Sequence, residues 1–581
     1  MQQVDFTTLT AVCGELRADW LPARTEQVYQ RDRYTIALGL RTLKGRGWLE
    51  ISWHPQAAHL YFGDPPPRLP DTFTFSQQLL HQLGGLALVA CPIIAPWERV
   101  VDLQFARRPG EPALWHLYVE IMGKYSNVIL TDTQEIVTAA HQVSQQQSSV
   151  RPIQTGQPYE PPPALIGTLP TLNESQERWQ ERVSLVPGAL RRCLLKTYRG
   201  LSPALVQSIA LAAELDPDQS TDTLKASDWQ HLFRCWQEWL QALQQEEFQP
   251  GWTVEGYTVL GWGAIEKAPT VQDLLKRYYT AQLNQQEFTQ LRHQLSQKLS
   301  SFLEKLRLKA RTFKERLQQS DRADEYRQRA DLLMAHLQDW QPGMKSITLS
   351  DFESSNPVTI PLEPEKNAVQ NAQSLYKRHQ KLKRARSAVE PLLREVDGEI
   401  HYLEQVEDAI AQLEAYQTPE DLAALKEIRE ELIGQQYLED TGYERRSSTE
   451  ASSTNFRRYR TPSGFEVLIG RNNRQNDQLT FRLAGDYDLW FHAQEIPGSH
   501  LLLRLDPGAV PESSDLGFAA DLAAYYSRSR QSDQVPVVYT EPKHVYKPKG
   551  AKPGIAIYKQ ERILWGQPQR ASDCLKQAVK I

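Results

Sequence analysis

Two long runs of apolar residues, spaced three and four apart, constrain this chain more than any other feature. In the first, apolar residues fall at Phe288, Leu291, Leu295, Leu299, Phe302, Leu306, Ala310, Phe313 and Leu317. The steps of three and four follow an eleven-residue repeat, which keeps the stripe nearly straight or right-handed. The second run takes Leu382, Ala385, Val389, Leu392, Val396, Ile400, Leu403, Val406, Ile410 and Leu413, closer to a heptad. Such stripes need a partner, and the simplest is each other. We therefore expect a long antiparallel coiled-coil hairpin over 273–437. Between the arms, SITLS and NPVTIPLE alternate like two short strands and would form a small knob over about 340–368. A helix rises about 1.5 Å per residue, so arms of some forty residues reach about 60 Å.

A hairpin of this kind leaves most of the 581 residues to other domains. At 40% hydrophobic and 24% charged residues there is material for several packed cores, which excludes a wholly disordered chain. The net charge of −5 announces no global affinity for nucleic acid, so any such partner must be held by local patches. Cys13, Cys91, Cys193, Cys235 and Cys574 stand singly, without a CxxC pair, which fits a reducing compartment and argues against a cysteine zinc site. The N-terminus has no basic region and carries Asp5 and Glu15 where a signal peptide is apolar. The apolar stretch from Gly84 to Trp97 is broken by Pro92 and Pro96 and is shorter than the ~20 residues of a spanning helix. The expectation is a soluble, cytoplasmic protein with no membrane partner.

The fold class expected is multidomain α+β. Residues 1–165 mix a helix at Leu9–Trp20 and another at Phe75–Leu83 with strands in YTIALGLR, WLEISW, VVDLQFA, LWHLYVEIM and NVILTD. The Pro-rich RPIQTGQPYEPPPA closes this domain. Residues 171–245 read as a helical domain, in which Gly200-Leu201-Ser202-Pro203 is a tight turn entering a helix with proline in its first turn. Such a helix–hairpin–helix either grips a nucleic-acid backbone by its amides or is an ordinary helical pair. After the coiled coil, RRSSTEASST is a linker. Residues 455–566 form a last α/β unit with strands in FEVLIG, QLTFRLA, LLLRL, VPVVYT and GIAIY, and a helix over Asp515–Arg530.

Chemistry concentrates in that last unit. Gly470, Arg471, Asn472, Asn473, Asn476 and Asp477 read as a polar loop after a strand, without the GxxxxGK[ST] of a nucleotide cradle. Ser499, His492 and Asp488 lack the GxSxG elbow and the chain order of a hydrolase triad. His492 and His500 lack a third soft ligand for a metal, and read as structural or RNA-contacting groups. Lys543, Lys547, Lys549 and Lys552 lie in a proline-stiffened loop with Tyr546 and His544 interleaved, a composition that can neutralise phosphates and stack a base. From Phe456 to Arg562 there are 15 Lys and Arg against 12 Asp and Glu, a mildly positive balance in a negative chain. YKRHQKLKRARS adds a basic face on the second arm. No catalytic constellation and no cofactor site emerge.

These motifs together resemble the NFACT family. GFEVLIGRNNRQNDQLT, DLWFHAQEIPGSH, AAYYSRSR and VYKPKGAKPG are similar to the family's RNA-binding NFACT-R domain, and NAQSLYKRHQKLKRA to the start of its second coiled-coil arm. HPQAAHLYF and LYVEIMGKYSNVILTD resemble its NFACT-N domain, whose fold is similar to the N-terminal part of MutM-type DNA glycosylases. The resemblance spans nearly the whole chain, in the family's domain order.

What the resemblance implies is ribosome-associated quality control. Its members bind a large ribosomal subunit obstructed by peptidyl-tRNA with its nascent chain. Bacterial members recruit alanyl-tRNA and direct non-templated C-terminal alanine tailing, with or without a companion tailing factor. The ribosome would make the peptide bond, so the protein is not expected to be an enzyme. The family associates tailing with an N-terminal aspartate, matched by Asp5, and with an Asp-Arg pair, here Glu98-Arg99. Glutamate keeps the charge on a longer arm. The resemblance thus implies that Asp5, Glu98 and Arg99 contact tRNA, and that Arg471, Asn472, Asn473, Asn476, Asp477, His492, His500, Lys543, Lys547, Lys549 and Lys552 contact RNA. Three rivals follow: a subunit-binding factor without tailing, a fibronectin-binding surface adhesin after an older family label, and a DNA glycosylase. The last lacks its nucleophile, since Gln2 and Gln3 follow Met1 where that class has Pro-Glu.

Overall fold

In the computed structural model the chain divides into two compact units, Met1–Leu283 and Asn284–Ile581, with the boundary inside one helix. The structure describes residues 1–67, 70–132, 135–148, 150–163, 167–352, 356–439 and 456–578. The linker expected in RRSSTEASST, 445–454, falls outside them.

The first unit opens with α1 (Phe6–Trp20) and the strands β1 (Ala23–Asp32), β2 (Thr35–Arg41), β3 (Arg46–Ser52) and β4 (His59–Gly63). After α2 (Thr74–Leu83) come β5 (Ala87–Ala90), β6 (Val100–Ala106), β7 (Trp115–Glu120), β8 (Asn127–Thr131) and β9 (Ile136–Ala139). All nine strands form one antiparallel sheet in the order β4-β3-β2-β1-β5-β6-β7-β8-β9. Residues 35–40 of β2 are all buried, which is why this strand reads as an unbroken apolar run. Sequence analysis misses β1, since Thr25 and Gln30 are buried there in place of apolar residues. The backbone N–H of Gln30 donates to Asp71 Oδ2 at 2.7 Å, and its side-chain amide donates to the carbonyl of Asp32 at 2.9 Å.

Four helices follow: α3 (Gln176–Ser184), α4 (Leu190–Thr197), α5 (Pro203–Ala212) and α6 (Ala226–Gln245). They share an aromatic core of Trp179, Tyr198, Trp236 and Trp239. The short strands β10 (Gly251–Trp252), β11 (Tyr257–Thr258) and β12 (Glu266–Lys267) then lead to α7 (Val271–Asp321).

In the second unit, α8 (Ala323–Ala335) and the hairpin β13 (Ser346–Ser350) and β14 (Pro357–Pro361) separate α7 from α9 (Ala368–Gln412). The two strands fall in the segments expected between the arms. At 45 residues, α9 is about 68 Å long. Ion pairs set the direction of packing: Arg307 with Glu404, Lys314 with Asp397 and Arg386 with Asp321, so the helices run antiparallel. Burial follows the first stripe at Phe288, Leu291, Leu295 and Leu299, then shifts to Leu303, leaving Phe302 half-buried. Leu392, expected in the second stripe, is 45% exposed. The shift comes from a third helix, α10 (Pro419–Gly434), whose Leu422, Leu425, Ile428 and Leu432 join the same core.

The chain ends in a six-stranded antiparallel sheet, ordered β15-β16-β18-β17-β19-β22. Its strands are β15 (Arg457–Arg460), β16 (Glu466–Ile469), β17 (Leu489–Ala493), β18 (Leu501–Leu503), β19 (Val535–Thr540) and, after the small hairpin β20 (Val545–Tyr546) and β21 (Ile557–Tyr558), β22 (Arg562–Gly566). Helices α12 (Ser513–Tyr525) and α13 (Pro568–Ala578) complete the unit, and α12 packs on one face of the sheet. The other face is covered by the hairpin and by α11 (Asn473–Gln478) with the wide helical turn that continues it over Leu479–Leu483. That turn corrects the strand expected in QLTFRLA, and α11 corrects the expected loop. The Asn472 side chain accepts a hydrogen bond from the backbone N–H of Gln475 at 2.9 Å and starts a helix that the alternating Leu479, Phe481 and Leu483 continue.

The sheet domain sits on the end of α9. Arg528 pairs with Glu407 at 2.7 Å and Arg530 with Glu414 at 3.0 Å. Between them, the Gln412 amide donates both to Asp408 Oδ2 at 2.7 Å and to the carbonyl of Tyr526 at 2.9 Å. Burial raises the Asp408 pKa to about 7, against the opposing pull of the Gln412 hydrogen bond and the two arginines. The folded state therefore keeps a proton that the unfolded chain releases near pH 4, and stability falls as pH rises from about 4 to about 7. Asp408→Asn should unfold like the parent near pH 4 and be more stable above pH 7, by up to about 4 kcal/mol, in urea titrations across that range.

Candidate nucleic-acid interface

The first unit holds a cleft of about 1030 Å³ where the N-terminal segment, the 97–99 turn and the 200–204 turn converge. Asp5 lines it and is only 6% exposed. One carboxylate oxygen accepts from the backbone N–H of Thr8 at 2.8 Å, capping α1. The other accepts from the Ser202 hydroxyl at 2.6 Å. Ser202 Oγ in turn accepts from the backbone N–H of Leu205 at 3.0 Å and caps α5, with Pro203 in its first turn as the sequence suggests. Two helix N-termini are thus tied together at one carboxylate, whose charge complements their positive ends.

Glu98 and Arg99 reach the same cleft. The Arg99 guanidinium donates to the carbonyl of Val4 at 3.3 Å, one residue before Asp5. Burial lowers its pKa while the charges of Asp5 and Glu98 oppose that shift, so both acids lie close enough to act on it. The structure brings together Asp5, Glu98 and Arg99, three residues that stand 94 positions apart in the chain at the extremes.

Trp97 holds the turn that presents them. It adopts a φ of 68°, a left-handed conformation rare for a bulky residue. Its ring packs on Phe6 at 4.8 Å and on Trp239 at 5.4 Å, and the Trp239 indole donates to Thr7 Oγ1 at 2.9 Å. Gly200, itself at φ 80°, lies against it, and a Cβ there would fall 2.7 Å from the Trp97 ring. Sequence reasoning misses Trp97 and Ser202 as parts of the cleft, because nothing local in the chain couples either to Asp5.

In the second unit the candidate RNA-contacting residues have the following places. Arg471 pairs with Asp421 at 2.7 Å. The Asn472 amide donates to Glu427 at 2.6 Å and the Asn473 amide to Glu431 at 3.2 Å. Asn476 Oδ1 accepts from the backbone N–H of His500 at 3.1 Å, and Asp477 Oδ1 from that of Gly554 at 3.1 Å. Lys547 pairs with Asp477, Lys552 with the Tyr437 hydroxyl and Glu399, and Lys543 with Glu541. His500 Nδ1 is 2.7 Å from Thr480 Oγ1, and His492 stacks on Trp490 with ring centres 5.7 Å apart. Burial lowers the pKa of both histidines, that of His492 to about 4, so both are neutral at pH 7. Lys549 is exposed and forms no ion pair among the described residues. Most of this set therefore joins the sheet domain to α9 and α10 or builds its interior.

Among the described residues there is no group of three His, Cys, Asp or Glu side chains placed to hold a metal, and no helix long and apolar enough to cross a membrane.

Comparison with known proteins identifies the class. Residues 5–451 match the NFACT N-terminal and middle domains, and residues 455–559 match the NFACT protein RNA binding domain. The chain belongs to the NFACT family. It is 30% identical to the Rqc2 homolog RqcH of Bacillus subtilis (strain 168) over 95% of this chain and 96% of that protein. It is also 30% identical to the Rqc2 homolog RqcH of Streptococcus suis (strain 05ZYH33), over 95% of each chain. Among solved structures, the C-terminal part of the fibronectin/fibrinogen-binding protein from Streptococcus suis is 32% identical. That match covers 48% of this chain and 95% of the other, with a TM-score of 0.37.

The packing at Trp97 yields a test. Gly200→Ala combines a left-handed backbone with a ring clash, and should lower the stability of the first unit by about 1–3 kcal/mol in urea unfolding followed by tryptophan fluorescence. A change under about 0.5 kcal/mol would show that the Trp97 turn adapts freely.

Proposed function

We propose that this protein is a ribosome quality control factor that binds large ribosomal subunits obstructed by peptidyl-tRNA. It recruits alanyl-tRNA there and directs non-templated C-terminal alanine tailing of the stalled nascent chain. Membership of the NFACT family, the RNA-binding domain and the similarity to RqcH proteins support the first part. The observation that carries the second is the cleft itself, where the charges of Asp5 and Glu98 act on Arg99 beside two helix N-termini.

In this reading the protein positions RNA and the ribosome forms the peptide bond. Asp5 has both oxygens engaged, so its part is to fix the two helix ends and the local charge near Arg99. Arg99 then offers a half-buried cation, already partly desolvated, to a tRNA phosphate or base edge. Glu98 acts on Arg99 through its charge. A companion tailing factor fits the same scheme.

One feature favours a second reading, a subunit-binding factor without tailing. The pair here is Glu98-Arg99, not Asp-Arg, and the Arg99 guanidinium turns toward the main chain at Val4. Purification of tagged wild type and Arg99→Ala from their own cells, with sequencing of bound RNA, separates the two. Tailing predicts large-subunit RNA with enriched alanine tRNA for the wild type, and retained subunit RNA with alanine tRNA lost at least tenfold for Arg99→Ala. Large-subunit RNA without any selected tRNA in the wild type selects the second reading. Absence of ribosomal RNA from the wild type overturns both.

A further inference from the structure

The polar residues of the C-terminal domain that the sequence marks for RNA are mostly engaged inside the protein, which directs attention to what the domain leaves exposed. The edge strand β22 carries Ile563 at 51% and Trp565 at 61% exposure. These two are one strand period apart and share a sheet face, opposite Val538 and Pro536 of β19. Leu564, between them, turns to the helix side and packs in the core. The neighbouring hairpin shows the same pattern: Val545 and Tyr558 point inward, while Tyr546 is 39% exposed.

The segment that carries the hairpin and leads into β22 is rich in cations. From Lys543 to Arg562 there are six Lys and Arg residues against a single acid, Glu561. Lys543, Lys547 and Lys552 are taken up by Glu541, Asp477 and Glu399. Lys559 is exposed and forms no ion pair among the described residues, while Arg562 shares the helix-side face with Leu564. The Lys559 ammonium lies 5.3 Å from the centre of the Tyr546 ring, and its backbone N–H donates to the carbonyl of His544 at 3.1 Å, which fixes it beside the hairpin.

Exposed flat rings next to an unpaired cation fit a polyanion whose bases are free to stack. We propose that the β22 edge, with Trp565, Ile563 and Tyr546 as apolar and stacking surface and Lys559 as phosphate contact, binds an unpaired RNA strand. The inference rests on the reading of residues 455–559 as RNA-binding, and it places part of the contact beyond that segment. A protein partner would use the same rings but gives no reason for a cation held over one of them.

The test uses the full-length protein and a fluorescent uridine 20-mer (about 20 nucleotides), followed by anisotropy from about 50 to 300 mM KCl. Trp565→Ala should weaken binding about tenfold, and Trp565→Phe should restore most of it. Lys559→Gln should reduce the slope of log affinity against log salt by about 0.7, the release expected from one phosphate contact on a single strand. Wild type that binds, with both variants equal to it and melting like it in urea, overturns this surface and leaves the RNA-binding reading intact. Wild type that does not bind the uridine strand, yet still co-purifies with ribosomal RNA, overturns this proposal alone. Loss of a co-purifying protein in Trp565→Ala, with uridine binding unchanged, assigns the edge to a protein and also overturns the proposal.

Discussion

A carboxylate withdrawn from water must be given donors, and two such carboxylates organise this protein. Asp5 is 6% exposed and Glu431 is 2% exposed. Each would carry a desolvation penalty of several kcal/mol if left alone. Asp5 meets it with the Thr8 amide and the Ser202 hydroxyl, and in doing so joins the starts of α1 and α5. Glu431 meets it with the Tyr402 hydroxyl at 2.7 Å from α9 and the Asn473 amide from α11, so one side chain ties both long-helix packing and the sheet domain to α10. Removing either acid alone would leave hydroxyls and amides buried without partners, which is the costly half of the exchange.

The cleft inherits its character from the first of these arrangements. Hydrogen bonding does not cancel the Asp5 charge: Asp5, Glu98 and Glu255 line the cleft with Arg99, and Asp5 and Glu98 favour the charged form of that arginine. Trp97 supplies the geometry: its left-handed backbone is paid for by stacking on Phe6 and Trp239 and by a neighbour that has no side chain, Gly200. Strain concentrated at one residue, over-determined by packing around it, is a common way to hold a functional turn.

How much of this was legible in the chain depends on how local the signal is. The antiparallel helices were, since a three-four spacing repeated over ten positions has no competing explanation, and the Ser202-Pro203 helix start carries its own cap. The strand β1 was not, because buried Thr25 and Gln30 satisfy their polar groups through partners such as Asp71 that no period announces. The segment 473–483 misleads for a different reason. Its alternation of Leu479, Phe481 and Leu483 is a strand pattern, and only Asn472 acting as a cap turns it into helix. Asp5, Glu98 and Arg99 come from family resemblance and the Ser202 turn from its local sequence, while the link from Ser202 to Asp5 and the part of Trp97 come from the structure alone, since they span long stretches of chain.

The segment Arg471–Gln475 shows why polarity by itself cannot name a ligand. A run of Arg, Asn and Gln side chains offers N–H donors, and donors suit any oxyanion. Here the oxyanions belong to the protein: Asp421, Glu427, Glu430 and Glu431 on α10 receive Arg471, Asn472 with Gln475, Arg474 and Asn473. These acids lie some 40 to 50 residues earlier in the chain, on a helix whose own sequence looks like an ordinary solvated face. A phosphate competing for the same donors would have to displace carboxylates that are partly buried and fixed on one rigid helix, at the cost of leaving those acids unpaired. Binding energy for RNA is more readily drawn from side chains that have no such partner to lose. In this domain the exposed rings at the β22 edge and hairpin, with Lys559 beside them, are among those.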